Sequence, residues 1–280
     1  MIESLFRYSF LQNAFMAAFL ASIVCGIIGT IIVEKRLVSM SGGIAHASFG
    51  GIGLGYLLGI EPIIGGLVFS ILASLGISTI KRKTNTNSDT LIGMFWAVGM
   101  ALGILFISLT PGYPPDMTSY LFGDILTVSS IYIKMMAILS IIIIFFIMSI
   151  FNYWRAYLFD EEFTKVIGVN VLVFEYILFI LIALTIVILI KVVGIILSIA
   201  LLTIPPAIAK LFTYNLKKMM IVSSLLGVVF SISGLFISYQ YNIPSGSTII
   251  LLSVIGYFVV GSSSKLFNKI KLYNVKKELI

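Results

Sequence analysis

Hydrophobic residues in this chain run together in blocks instead of alternating with polar ones at a helical or strand period. Nine blocks stand out: Leu11–Val33, Leu37–Gly59, Ile63–Ile80, Leu91–Thr110, Ile131–Tyr153, Val171–Ile190, Val193–Leu211, Met219–Tyr239 and Thr248–Ser262. Most approach the roughly 20 apolar residues that a helix needs to cross the hydrocarbon core of a bilayer. Backbone exposed to lipid has to satisfy its own hydrogen bonds, so each block predicts a helix. The fold class is therefore all-α: a polytopic integral membrane protein with about nine transmembrane helices in a single domain over residues 1–280.

The polar breaks between blocks give an orientation. Glu34-Lys35-Arg36, Lys81-Arg82-Lys83, Arg155 with Lys165, Lys210 with Lys217-Lys218, and the basic tail at about 263–280 follow spans one, three, five, seven and nine. Basic residues collect on the cytoplasmic side, so this spacing predicts an external N-terminus and a cytoplasmic C-terminus. The opposite connections, Ile60-Glu61-Pro62, Thr110–Ser130 and Gln240–Ser247, contain no Lys or Arg. Lys191 is the exception, close enough to the outer end of span six to snorkel. Thr110–Ser130 must begin and end outside, and with Pro111, Gly112, Pro114 and Pro115 ahead of Tyr120-Leu121-Phe122-Gly123 it predicts a short re-entrant or interfacial segment. Arg155–Val169, with Asp160-Glu161-Glu162 ahead of Phe163, predicts a short amphipathic cytoplasmic helix, its acidic residues suited to a helix N-terminus.

Composition agrees with the blocks. The chain of 280 residues is 60% hydrophobic and only 10% charged, which excludes an ordinary soluble domain. The formal net charge of +7 would suggest nucleic acid in a soluble protein; here it is the product of the positive-inside bias. The single cysteine, Cys25, lies in an apolar block and can form neither an internal disulfide nor a Cys-rich metal site. No cleavable secretion signal is read in the first residues.

Candidate chemistry is sparse. His46, the one histidine, falls near the middle of span two, and ionisable groups at that depth usually face a bundle interior or a cavity. Neutral imidazole is a ligand for zinc, copper, iron and nickel, although one histidine specifies no site. Small residues at Gly43, Ala47, Gly51, Gly55 and Gly59 form a stripe that lets helices approach closely, and Gly42 and Gly50 leave the His46 ring uncrowded by its own helix. Asp116 and Asp124 could accept a cation at an outer mouth, Asp89 fits a cap for span four, and Glu175 either faces a cavity or reaches headgroups. Gly194 and Pro205-Pro206 predict an interruption or kink in span seven. There is no P-loop and no H-E-x-x-H motif. An ion-coupled secondary transporter is the alternative, though the halves show no repeat. An intramembrane hydrolase built on Ser48 and His46 is disfavoured, because side chains two apart on a helix diverge.

Six segments in order resemble the membrane permease subunit of the ABC-type zinc/manganese importers. They are Ser41–Gly51 around His46; Asp89–Met94; Tyr120–Leu126; Phe159–Glu162; Val193–Leu197 continuing through Leu201–Ala207; and Pro244–Ile249. The resemblance implies a transport subunit and not an enzyme. Its partners would be a second permease copy, a cytoplasmic ABC ATPase dimer, an extracytoplasmic metal-binding protein and the bilayer of the cytoplasmic membrane. It implies Zn2+ or Mn2+ as cargo and no resident cofactor. On the same basis His46, with Asp116 and Asp124, is expected on the metal path, and Asp160, Glu161, Glu162 and Phe163 in the segment coupling to the ATPase. Many members carry Gly-Asp where this chain has Ser41-Gly42, which places a carboxylate four residues before the histidine. Its loss here leaves fewer hard oxygen donors and favours zinc over manganese.

Overall fold

The computed structural model describes residues 8–84, 87–112, 118–123 and 125–278, and these contain helices and turns but no strand. Four long helices open the fold: α1 (Ser9–Glu34), α2 (Val38–Leu58), α3 (Pro62–Lys83) and α4 (Ser88–Ser108). A short helix α5 (Thr118–Phe122) and a 3-10 turn (Ile125–Thr127) lead into α6 (Ser130–Ser149) and the short pair α7 (Phe151–Phe159) and α8 (Glu161–Val166). The chain ends with α9 (Val171–Val193), α10 (Ile195–Phe212), α11 (Leu216–Tyr241) and α12 (Ser245–Glu278).

Among the described residues, eight helices are long and apolar enough to cross a membrane. The 21-residue α2 has the length but falls short in hydropathy, because Gly, Ser and His46 take the place of Leu and Ile. What it lacks in hydrophobicity it recovers by enclosure. α2 is packed between α3 and α4 and also meets α9. The centre of the bundle is formed by α1 and α9, each 72% buried over its most apolar stretch. On one side of this pair lie α2–α4, and on the other α10–α12.

The small-residue stripe of α2 divides between its two neighbours. A Cβ on Gly51 would run into the Gly65 carbonyl of α3, and one on Gly65 into the Gly51 carbonyl. Gly55 faces Pro62 of α3, whereas Gly43 faces Ile92 of α4 and Ala47 lies against Gly99. Such contact allows backbone-to-backbone approach, the main source of helix association in lipid. Gly59 does not belong to the stripe: with φ +67 it is the left-handed C-cap of α2, and nothing lies within 4 Å of its Cβ position.

Several boundaries differ from the sequence expectation. The fifth span stops at Ser149 and not at Tyr153, and α7 begins after Ile150 as a separate amphipathic helix. Phe151 and Tyr153 prolong the hydrophobic block, but Asn152 and Arg155 give this turn a polar face while Trp154 and Tyr157 are buried. The segment expected as one helix over Arg155–Val169 is two, broken at Asp160, whose Oδ1 accepts from the backbone N–H groups of Glu162 and Phe163, both at 2.9 Å. The cap of α4 is Asn87, not Asp89; its side chain accepts from the Asp89 N–H at 3.0 Å. Gly194, at φ +83, separates α9 from α10, whereas Pro205 and Pro206 lie inside α10. Pro206 has no N–H for the Leu202 carbonyl, and the backbone of Gly29 in α1 lies against that oxygen.

Candidate functional site

His46 sits two turns into α2, half-buried between Gly42 and Gly50. Its Nδ1 lies 2.8 Å from the Gly42 carbonyl oxygen. A carbonyl only accepts, so Nδ1 carries the proton in the neutral ring and Nε2 keeps its lone pair for a ligand. The imidazole stacks on the indole of Trp96 from α4, with centroids 3.8 Å apart and planes 19° from parallel. Trp96 is 41% exposed, although it lies on the side of α4 that meets α2. The pair is therefore partly open at the surface of the helix bundle. Among the described residues no three His, Cys, Asp or Glu side chains converge. Asp116 and Asp124 lie outside the described residues. A Cβ at Gly42 would meet only the Trp96 ring, at 3.7 Å, an ordinary contact.

At the end of the bundle where α2 and α9 finish and α6 begins, polar groups form a network. Lys191 Nζ donates to Tyr120 Oη at 3.1 Å and lies 4.9 Å and 5.1 Å from the ring centres of Tyr120 and Tyr132. Tyr120 Oη shares a 2.9 Å hydrogen bond with Tyr56, and Tyr132 donates to Glu61 at 3.0 Å. The Lys191 ammonium is thus held by aromatic faces and a hydroxyl. Next to this network Gly123 and Gly194, at φ +65 and +83, meet backbone to backbone, so that a Cβ on either would collide with the other's chain. Both contacts fasten the α5 segment to the α9–α10 break.

The opposite end gathers the basic clusters. Lys35 pairs with Glu161 at 2.6 Å, Lys210 with Glu34 at 3.1 Å, and Arg82 with Glu175, which also accepts from Ser78 at 2.9 Å. These pairs bring the last turns of α1, α3 and α10 together with α8 and the start of α9. Glu175 therefore binds its neighbours while lining a cleft of about 310 Å³ between these elements. The Lys35 ammonium holds the Glu161 carboxyl below the usual carboxylate range, against a smaller opposing effect of burial. Lys35 also lies 4.0 Å from the ring centre of Tyr157, whose phenol is pushed up chiefly by burial and so stays neutral. Along α7, α8 and the residue after them, Phe159, Phe163 and Ile167 are exposed around a cleft of about 540 Å³, and Val166 is exposed outside it.

Residues 7–263 match the model of the ABC 3 transport family. The chain belongs to that family. An uncharacterised membrane protein of Synechocystis is 44% identical over 259 residues, covering 92% of each chain. The manganese transport system membrane protein MntC of Listeria monocytogenes is 35% identical over 258 residues, again 92% of each. The structure of PsaBC from Streptococcus pneumoniae in complex with Fab superposes with a TM-score of 0.84 at 34% identity, covering 92% of this chain and 93% of that one. The resemblance to the permease subunit of metal importers thus holds for this ABC 3 chain. Two of its site features were not singled out from sequence. Trp96 is one of two tryptophans and comes to His46 from another helix, and Lys35 was read only as a marker of orientation.

Proposed function

We propose that the chain is the permease subunit of an ATP-driven importer that passes a divalent metal cation across the cytoplasmic membrane, with its N-terminus outside and its C-terminus inside. The observation that carries this reading is the ABC 3 match over residues 7–263, nearly the whole chain. The manganese named for the Listeria relative supports manganese as cargo. The loss of a carboxylate at Gly42 favours zinc, since softer nitrogen-rich sites suit that ion. In this reading two copies face each other across the Trp96-bearing face, and His46 Nε2 offers a transient ligand between them. Asp116 and Asp124 serve the outer mouth. ATP is hydrolysed by a separate ATPase dimer, which receives the apolar ridge of α7 and α8, and a metal-binding protein delivers the ion from outside. Asp160, by capping α8, sets the direction of Glu161, Glu162 and Phe163.

The test is uptake of labelled manganese and zinc into vesicles that contain the chain, its ATPase and the delivery protein. His46→Ala abolishes ATP-dependent uptake of the cargo ion while the complex still assembles. Full uptake by that variant removes His46 from the path, and wild-type uptake without ATP overturns the importer reading itself.

A further inference from the structure

Lys35 lies at the junction of two features that the importer reading treats separately, the coupling segment and the helix that bears His46. It is the first residue of the three-residue turn between α1 and α2, and that turn is stiff. Lys35 N–H bonds to Ile31 O at 3.0 Å, Arg36 N–H to Val33 O at 3.2 Å and Leu37 N–H to Ile32 O at 2.8 Å. Arg36 closes it at φ +57, a left-handed value uncommon outside glycine. The Lys35 side chain is only 14% exposed, yet both short helices of the coupling segment grip its ammonium: Glu161 of α8 by the 2.6 Å ion pair, Tyr157 of α7 by its ring face. From Val38 to His46 the chain then rises by about 12 Å of continuous helix, at roughly 1.5 Å per residue.

We propose that Lys35 is the residue through which the coupling segment moves α2, so that displacement of α7 and α8 by the ATPase reaches His46 as a shift of one rigid helix. The inference rests on the importer reading and adds to it a specific positioning residue. Three observations support it. Arg82, the other strong cation near Glu161, is committed to Glu175. A cleft of about 310 Å³, lined by Lys35, Tyr157 and Glu161 together with the Arg82–Glu175 pair, leaves room for the Lys35–Glu161 pair to move. The turn's own hydrogen bonds prevent that movement from being absorbed locally. Glu34, the neighbour of Lys35, pairs with Lys210 and so ties the end of α10 to the same turn.

The experiment measures metal taken up per ATP hydrolysed in vesicles holding the complete complex, with manganese and zinc as the probe ions. Lys35→Met and Glu161→Gln each lower that ratio by about tenfold, within the range usual for coupling between sites. Glu161→Gln removes the pair from its half-exposed end, so it serves where Lys35→Met fails to assemble. The double variant Lys35→Met/Glu161→Gln loses no more than Lys35→Met alone, because Lys35→Met already deletes the ion pair. Ratios unchanged from wild type, or losses that multiply in the double variant, overturn the role of Lys35 and leave the importer reading standing. A wild-type complex that moves neither ion in response to ATP overturns both.

Discussion

A lone imidazole gains its meaning here from two neighbours, one legible in the sequence and one not. Gly42 could be placed below His46 by counting one helical turn, and the structure adds that its carbonyl fixes the tautomer. Trp96 comes from another helix, and no local pattern announces a stacking partner across a helix pair. Because a Cβ at Gly42 would meet only the Trp96 ring at 3.7 Å, Gly42→Asp begins without a clash, and its cost is that of desolvating the carboxylate at membrane depth. With a carboxylate on the same face as His46 it shifts uptake towards manganese, which competition between labelled manganese and zinc measures. The Glu161 carboxyl gives a pH dependence with a definite sign. Its pKa is depressed in the folded protein, so its pairing with Lys35 stabilises α8 above the ordinary carboxylate value near pH 4.3 and is lost as pH falls below it. Hydrogen exchange of α8 amides therefore stays constant from neutral pH to about pH 5 and quickens, after correction for intrinsic rates, only under more acid conditions.

Helices were legible wherever their blocks of apolar residues were long, because lipid leaves backbone polar groups no other partner. The errors fall where side-chain character and helix continuity part company. Phe151 and Tyr153 extend a hydrophobic block beyond Ser149, and the break at Asp160 shows only in the capping bonds its carboxylate makes. α2 was legible over Leu37–Gly59 despite its low hydropathy, and its glycine spacing anticipates its close neighbours. That spacing has a measurable consequence. Gly51→Ala drives a methyl group into the Gly65 carbonyl and lowers stability in detergent by about 1–3 kcal/mol. Gly93→Ala, on the exposed face of α4 with nothing within 4 Å of its Cβ position, leaves the thermal midpoint unchanged or slightly raised. Equal midpoints for the two variants would refute the close packing of α2 on α3.

The whole molecule is organised by its ends more than by its middle. One end is tied by ion pairs that join the ends of α1, α3 and α10 to α8 and the start of α9, the other by tyrosine hydroxyls, Lys191 and Glu61. The sidedness expected from charge is open to direct labelling, since Cys25 is 1% exposed and so shielded from thiol reagents. Ile60→Cys, at the end away from the basic clusters, reacts with an impermeant maleimide on intact cells, whereas Lys83→Cys reacts only after permeabilisation. The reverse pattern inverts the orientation. The meeting of Gly123 with Gly194 has a genetic corollary. Any substitution at either position adds bulk where two main chains already touch, and no further change at its counterpart can subtract any. Revertants of such a lesion must therefore arise elsewhere, in residues that let the α5 segment settle at a greater distance.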